Sequence, residues 1–213
     1  DDANQNLTGA MATLSARQCS ELDCGAHGYN AVAAESDRTD SSDYSAVSHG
    51  THVAGIVGAS LAEGCGTEGA ASGIGLLSVR TFDKTTGSLK KSDLVRACGW
   101  VRAARQDGVR ICAVNISIDG SFGASYALNL AYRELVATDV AVITAAGNMF
   151  SDNDSTMALC NGTFAGKLVI DAMDADGEKA NYSNYGKMTT DLFAPGTDIF
   201  STVGSGSAAL NAF

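Results

Sequence analysis

From Leu76 to Val203 the chain alternates short apolar runs with amphipathic stretches, and this alternation limits its folding options more than any other feature. Leu76–Phe82 reads as strand, Ser92–Gln106 as helix, Val109–Ser117 as strand, Gly123–Ala137 as helix and Val140–Ala145 as strand. Leu94, Ala97, Cys98 and Val101 recur at three and four residues, as do Ala124, Leu128, Ala131 and Leu135, so each set lines one helix face. Ser92-Asp93 offers an N-terminal cap and Gly108 a stop. The strands are near-continuous apolar runs, the pattern expected where both faces are covered. Strand and helix alternating through short loops predict an α/β fold with a doubly wound, mostly parallel sheet flanked by helices. Further strands are expected at Lys167–Met173, Asp191–Phe193 and Asp198–Val203. A helix is expected from His49 to about Ala62, with Val53, Ile56 and Val57 on one face, whereas residues 1–48 read as irregular and polar. No internal repeat or domain boundary is visible, so residues 1–213 are expected to form a single domain.

In sheets of this kind, ligands bind outside the carboxyl ends of the strands. Three polar or small segments end strands here: Asn115 to Gly120, Ala145 to Asn148, and Ala194-Pro195-Gly196. An active-site rim is therefore expected from these segments. Charge narrows what could bind there. With a formal net charge of −10, the chain is a poor partner for nucleic acid, which is bound through Lys and Arg. No apolar run approaches the roughly 20 residues needed to span a bilayer. Asp1-Asp2-Ala3-Asn4 does not read as a signal peptide, so any targeting segment is expected to have been removed or not to be included in this chain.

Six cysteines are present, and an even number in a secreted chain favours disulfides. Cys65, Cys160 and the close pair Cys19 and Cys24 read as loop residues and are the preferred bridge partners, with their pairing open. Cys98 on an apolar helix face and Cys112 in an apolar strand fit buried free thiols equally well. Glycosylation sequons begin at Asn6, Asn115, Asn153, Asn161 and Asn181. The one at Asn115 lies mid-strand and reads as a chance match, and the others are expected in loops.

The histidines are His27, His49 and His52. His49 and His52 stand three apart at a helix start, a spacing that could hold zinc, but no supporting ligand cluster accompanies them and no metal is assigned. A histidine is also suited to general-base work near neutral pH. Gly50, Ala54 and Gly55 are poor choices for a merely stable helix but suit one that packs closely and presents an imidazole. Gly64 to Gly69 matches a dinucleotide fingerprint without the strand before it or the helix after it, and reads as a loop.

Ser48-His49-Gly50-Thr51-His52-Val53-Ala54-Gly55 resembles the histidine motif of the subtilisin family along its whole length. Asn115 to Ile118 is similar to that family's substrate-binding strand, Ala145 to Asn148 to its oxyanion segment, and Ala194 to Val203 to the stretch before its nucleophile. The resemblance implies a serine endopeptidase acting by a Ser-His-Asp mechanism, with His49 as general base and Asn148 donating to the oxyanion. By the same resemblance an extended peptide would pair between Gly87, Ser88 and Leu89 on one side and Ser117, Ile118, Asp119 and Gly120 on the other. Ala145, Ala146 and Gly147 would line the pocket for the side chain before the scissile bond, with room for a large apolar group. Asp119 replaces the family's usual glycine, which implies narrower, more acidic neighbouring subsites.

The family's Asp-Ser/Thr-Gly and Gly-Thr-Ser-Met-Ala motifs have no counterpart here; Ser205 and Ser207 are a distant echo of the second. The remaining triad members are therefore expected outside this chain, leaving the fold incomplete at both termini and this chain inactive by itself. The alternative is a catalytically inactive subtilase-fold binding or structural module. The resemblance further implies a secreted monomer acting on protein or peptide, with calcium as a stabilising ion for which no ligands are assigned.

Overall fold

The computed structural model describes residues 5–44, 48–60, 66–118, 125–155, 164–204 and 208–211. Its elements in chain order are α1 (Gln5–Thr8), α2 (Ala16–Leu22), β1 (Gly28–Asn30), α3 (His49–Gly58), β2 (Ser78–Arg80), α4 (Lys91–Gln106), β3 (Ala113–Ile116), α5 (Tyr126–Val136), β4 (Ala141–Ala145), β5 (Lys167–Met173), β6 (Leu192–Pro195), β7 (Ile199–Thr202) and β8 (Ala208–Asn211). They fall into two compact units, Asp1–Trp100 with Phe200–Asn211 and Val101–Ile199 with Ala212–Phe213. Ala62, Gly64, Cys65, Asp119, Gly120, Gly123, Ala124, Cys160, Asn161, Ser205, Ser207 and Phe213 lie outside the described residues.

The first unit corrects the expectation of an irregular N-terminal stretch. Ser15 and Gln18 form a capping box that starts α2: the Gln18 N–H donates to Ser15 Oγ, and the Ser15 N–H to Gln18 Oε1. β1 pairs in parallel with β2, from Gly28 opposite Ser78 to Asn30 opposite Arg80. Its three residues are too few for any periodicity to reveal. The acidic run after it is pinned by Arg80. This buried guanidinium grips both Glu35 oxygens at 2.9 and 2.6 Å and donates from Nε to the Asp40 carbonyl at 2.9 Å. Beside that fork the Glu35 carboxyl is held down to about 2. Tyr29 stacks on Trp100 with centroids 5.2 Å apart, and Leu7, Leu14, Val32 and Leu94 are also buried in this unit.

In α3 the apolar stripe is not the buried face: Val53 and Val57 are only half-buried. Thr51, His52, Gly55 and Gly58 are buried, and Ile56 of the apolar stripe is 41% exposed. The inner face is set by close approach rather than by hydrophobic side chains. A Cβ at Gly55 would lie 2.2 Å from Thr202 Oγ1 and 2.4 Å from Ser201 Oγ, so only glycine fits against β7. α4 also begins differently from expectation, at Lys91. Asp93 does not cap it; this buried carboxylate accepts from the Ala33 N–H at 3.1 Å. Gly108, at φ 91°, follows the helix end as predicted.

The second unit holds a four-stranded parallel sheet in the order β3-β4-β5-β6. Leu128, Ala131, Tyr132 and Leu135 of α5 are buried, and α5 touches β4, where Val142 is fully buried. Ser125 caps α5 by accepting from the Leu128 N–H. Burial alternates along β4 and β5 instead of being continuous, and Leu168, Leu192 and Phe193 are exposed. The near-continuous apolar runs therefore overstate the cover on one face of this sheet.

Two readings of single residue types also change. Cys19 lies in the last turn of α2 rather than in a loop, and Cys112 precedes β3 and is exposed rather than buried. Cys98 is buried, and burial pushes its thiol up to about 12. Among the sequons expected in loops, Asn6 is a buried residue of α1 and Asn153 is fully buried. A buried, hydrogen-bonded carboxamide offers no room for a glycan.

Candidate active site

His49 opens α3, and the local sequence explains how it is held. The N-cap residue Ser48 adopts φ 54° and its side chain makes no capping bond. The carboxylate of Asp43 does that work from outside the helix, accepting from the Thr51 N–H at 2.8 Å and the Thr51 hydroxyl at 3.0 Å. From the other side Ser201 Oγ donates to the His52 carbonyl and Thr202 Oγ1 to the Thr51 carbonyl, each at 2.7 Å and fully buried. The first turn of α3 is thus held at both its N–H and its C=O groups.

Within this frame His52 is buried at 2% exposure, a packing histidine, whereas His49 is half-buried. Burial holds the His49 imidazole below the ordinary histidine value; Asp43 pulls it up and His52 adds to the depression. A neutral imidazole at pH 7 is the form that can accept a proton. The third histidine, His27, has its Nδ1 2.8 Å from the Ala12 carbonyl.

Gly87, Ser88 and Leu89 end a tight turn of the same unit. Asp83 Oδ1 accepts from the Thr85 and Thr86 N–H groups, the Gly87 N–H donates to the Asp83 carbonyl, and Phe82 bridges to Leu89. Gly87 sits at φ 63°, where a side chain would be strained. Gly87 and Ser88 are exposed and Leu89 half-buried.

In the second unit the expected rim is a matter of strand direction. β3, β4 and β6 are parallel members of one sheet, so Ser117-Ile118, Ala146 to Asn148, and Gly196 all follow carboxyl ends on the same edge. Asn115 Nδ2 donates to Ser117 Oγ at 2.9 Å. Ala145 is half-buried, Ala146 is buried against Val169, Gly147 is buried, and Asn148 is exposed.

The groups that hold this segment were not foreseen. Asn184 Nδ2 donates to the Ala146 carbonyl at 3.0 Å and to Asn153 Oδ1 at 3.2 Å. Its Oδ1 accepts from the Met149 N–H at 2.8 Å and the Ser151 N–H at 3.0 Å, and its own N–H donates to the Gly147 carbonyl at 2.8 Å. Asn153 Nδ2 supplies a second donor to the Ala146 carbonyl at 2.9 Å. The flanks of Asn148 are fixed on both sides while its carboxamide stays open to solvent. Tyr182, two residues before Asn184, donates to the Gly196 carbonyl at 2.7 Å and so ties a second rim segment to the same turn. No spacing rule marks Asn184; a sequence pass reads Asn181 to Ser183 only as a sequon.

A model of the Subtilase family matches residues 14–212. The chain belongs to the subtilase family. It is 35% identical over 163 residues to an extracellular serine proteinase of Thermus sp. strain Rt41A, covering 76% of this chain and 36% of that protein. It is 36% identical over 188 residues to alkaline protease 1 of Aspergillus clavatus, covering 84% of this chain and 40% of the relative. The solved structure of a cold-adapted subtilisin-like serine proteinase shares its fold, with a TM-score of 0.74 at 24% identity over 99% of this chain and 64% of that one. The chain thus spans well under half the length of these curated relatives, and the subtilase fold is the predicted α/β architecture.

Proposed function

We propose that the protein is a serine endopeptidase that cleaves peptide bonds outside the cell. His49 takes the proton of a serine hydroxyl as that oxygen attacks the scissile carbonyl, then returns it to the leaving amine. The Asn148 carboxamide donates to the oxygen on which negative charge develops. By family resemblance, Gly87-Ser88-Leu89 and the segment Ser117, Ile118, Asp119 and Gly120 are each assigned to pair with an extended substrate as an added strand. Ala145 and Gly147 border the side chain before the scissile bond, with Ala146 supporting them from the core. The nucleophilic serine and the carboxylate partner of His49 are assigned to no residue.

The observation that carries this reading is an open carboxamide at the carboxyl end of β4 whose neighbours on both sides are hydrogen-bonded in place. A donor fixed beforehand costs no reorganisation when charge appears, which is what acyl transfer requires. The half-buried, neutral-leaning His49 supports the reading, as do relatives named serine proteinase and alkaline protease. Extracellular action rests on relatives named extracellular and a monomeric state on family resemblance. Among the described residues no three His, Cys, Asp or Glu side chains converge as a metal site, so no residue is assigned to calcium.

Kinetics of the full-length protein on a peptide anilide test the assignment. His49→Ala should lower kcat roughly 10⁶-fold, the size known for the histidine of subtilisin itself. Asn148→Ala should lower kcat roughly 10²–10³-fold with KM nearly unchanged, again the subtilisin magnitude. Wild-type turnover in the first variant, or a change confined to KM in the second, refutes the corresponding role.

A further inference from the structure

The end of α2 brings together two sulfurs that the proteolytic reading does not use. Asp23 adopts the left-handed conformation at φ 49° and ψ 59°, and its N–H turns back to the Cys19 carbonyl. The Cys24 N–H reaches the same carbonyl at 3.1 Å. This is the reversal of a Schellman-type cap, in which the residue after the left-handed position folds onto the residue five before it. Those two side chains ordinarily meet in an apolar contact. Here they are Cys19 and Cys24, and their thiol groups lie within hydrogen-bonding reach of each other. Both stand as free thiols, Cys24 buried and Cys19 partly open. The turn is held from outside by Trp100, whose indole N–H donates to the Leu22 carbonyl at 3.2 Å.

We propose that Cys19 and Cys24 are a disulfide-forming pair, oxidised by a small-molecule disulfide to a bridge that locks the C-terminal turn of α2. The more open Cys19 attacks first as its thiolate. Its sulfur bonds to one sulfur of the reagent, the reagent's S–S bond breaks, and one small thiol leaves. The Cys24 thiolate then attacks the Cys19 sulfur of this mixed disulfide and displaces the second small thiol. One S–S bond is lost and one gained; two electrons pass to the reagent, and the two protein thiol protons end on the departing thiols. Burial, reinforced by Cys19, pushes the Cys24 thiol up to about 11, so the closing step quickens with rising pH. Closure needs little backbone movement, because the cap has already brought the two residues together.

The test uses the folded protein and glutathione disulfide, followed by denaturation, alkylation with iodoacetamide and tryptic digestion. The tryptic peptide Gln18–Arg38 contains Cys19 and Cys24 and no other cysteine. It should appear unalkylated and lighter by two hydrogens than its dithiol form, and should take up two alkyl groups when reductant is added first. Cys24→Ser should instead retain glutathione on Cys19, because the resolving thiol is gone. Alkylation of both cysteines after oxidation, a stable glutathione adduct on the wild-type peptide, or a cross-link from either cysteine to a different peptide would each overturn the proposal. None of these readouts depends on peptidase activity.

Discussion

α3 is anchored by a carboxylate and two hydroxyls, whereas the loop after β4 is anchored by two carboxamides and backbone groups. The contrast follows the task proposed for each region. A general base must change charge during a turnover, and the groups around His49 set the pH at which it does so: burial favours the neutral ring and Asp43 opposes it. An oxyanion donor must not change charge at all. Asn184 and Asn153, neither of which titrates, hydrogen-bond the backbone on either side of Asn148. Lys179 donates to the Ala180 and Ser183 carbonyls and so braces the turn, and its ammonium lies over the Phe150 ring, 4.5 Å from the centroid.

The comparison can be broken most severely at Asn184. Asn184→Ala removes the partner of the Ala146 carbonyl and of the Met149 and Ser151 N–H groups. Each buried group left unpaired costs about 1–3 kcal/mol, so a loss of about 3 kcal/mol or more is expected in denaturant unfolding. That loss should be the same at pH 5 and pH 8; a strong pH dependence would show that charge does hold this loop.

A smaller effect is expected at Asp171 in β5. It is 2% exposed, neither carboxylate oxygen accepts a hydrogen bond, and the neighbouring Thr190 hydroxyl donates to the Gly186 carbonyl instead. Burial pushes this carboxyl up to about 6. The folded state therefore binds its proton more tightly than the unfolded chain, and stability falls as pH rises from about 4 to 6. The contribution is about 1–3 kcal/mol. Asp171→Asn should abolish that decline, as followed by Tm against pH; an unchanged slope would exclude Asp171 as its source.

The finest test separates the two jobs of Asp43. Asp43→Ala loses the cap and should cost about 1 kcal/mol. Asp43→Asn retains an acceptor oxygen and should cost less, but it removes the charge that raises His49. The acid limb of kcat/KM should then move to lower pH. A limb that stays in place or moves upward would mean that Asp43 does not act on the imidazole.

These residues also mark the boundary of what sequence could tell. β5 was legible at its observed bounds, Lys167–Met173, and β4 to within one residue, because apolar runs of that length carry their own signal. α1 and β1 are a single turn and three residues, shorter than any periodicity window. The face of α3 was misread because the usual rule sends apolar residues inward. Here the inward face is determined by Ser201 and Thr202, about 150 positions away along the chain. Of the candidate site, His49 and Asn148 were visible through motif resemblance. Asp43, Asn153 and Asn184 were not, since a side chain that serves distant backbone groups leaves no local pattern.

The hydroxyl contacts of Ser201 and Thr202 on α3 also have a consequence for timing. A growing polypeptide emerges from the ribosome N-terminus first, so the segment bearing His49 is synthesised long before the two side chains that seat it. The turn that presents the imidazole acquires its second anchor only after residue 202 is free of the exit tunnel. Contacts of such wide sequence separation are slow to form. Assembly of the histidine's surroundings is therefore among the last events in the maturation of this unit.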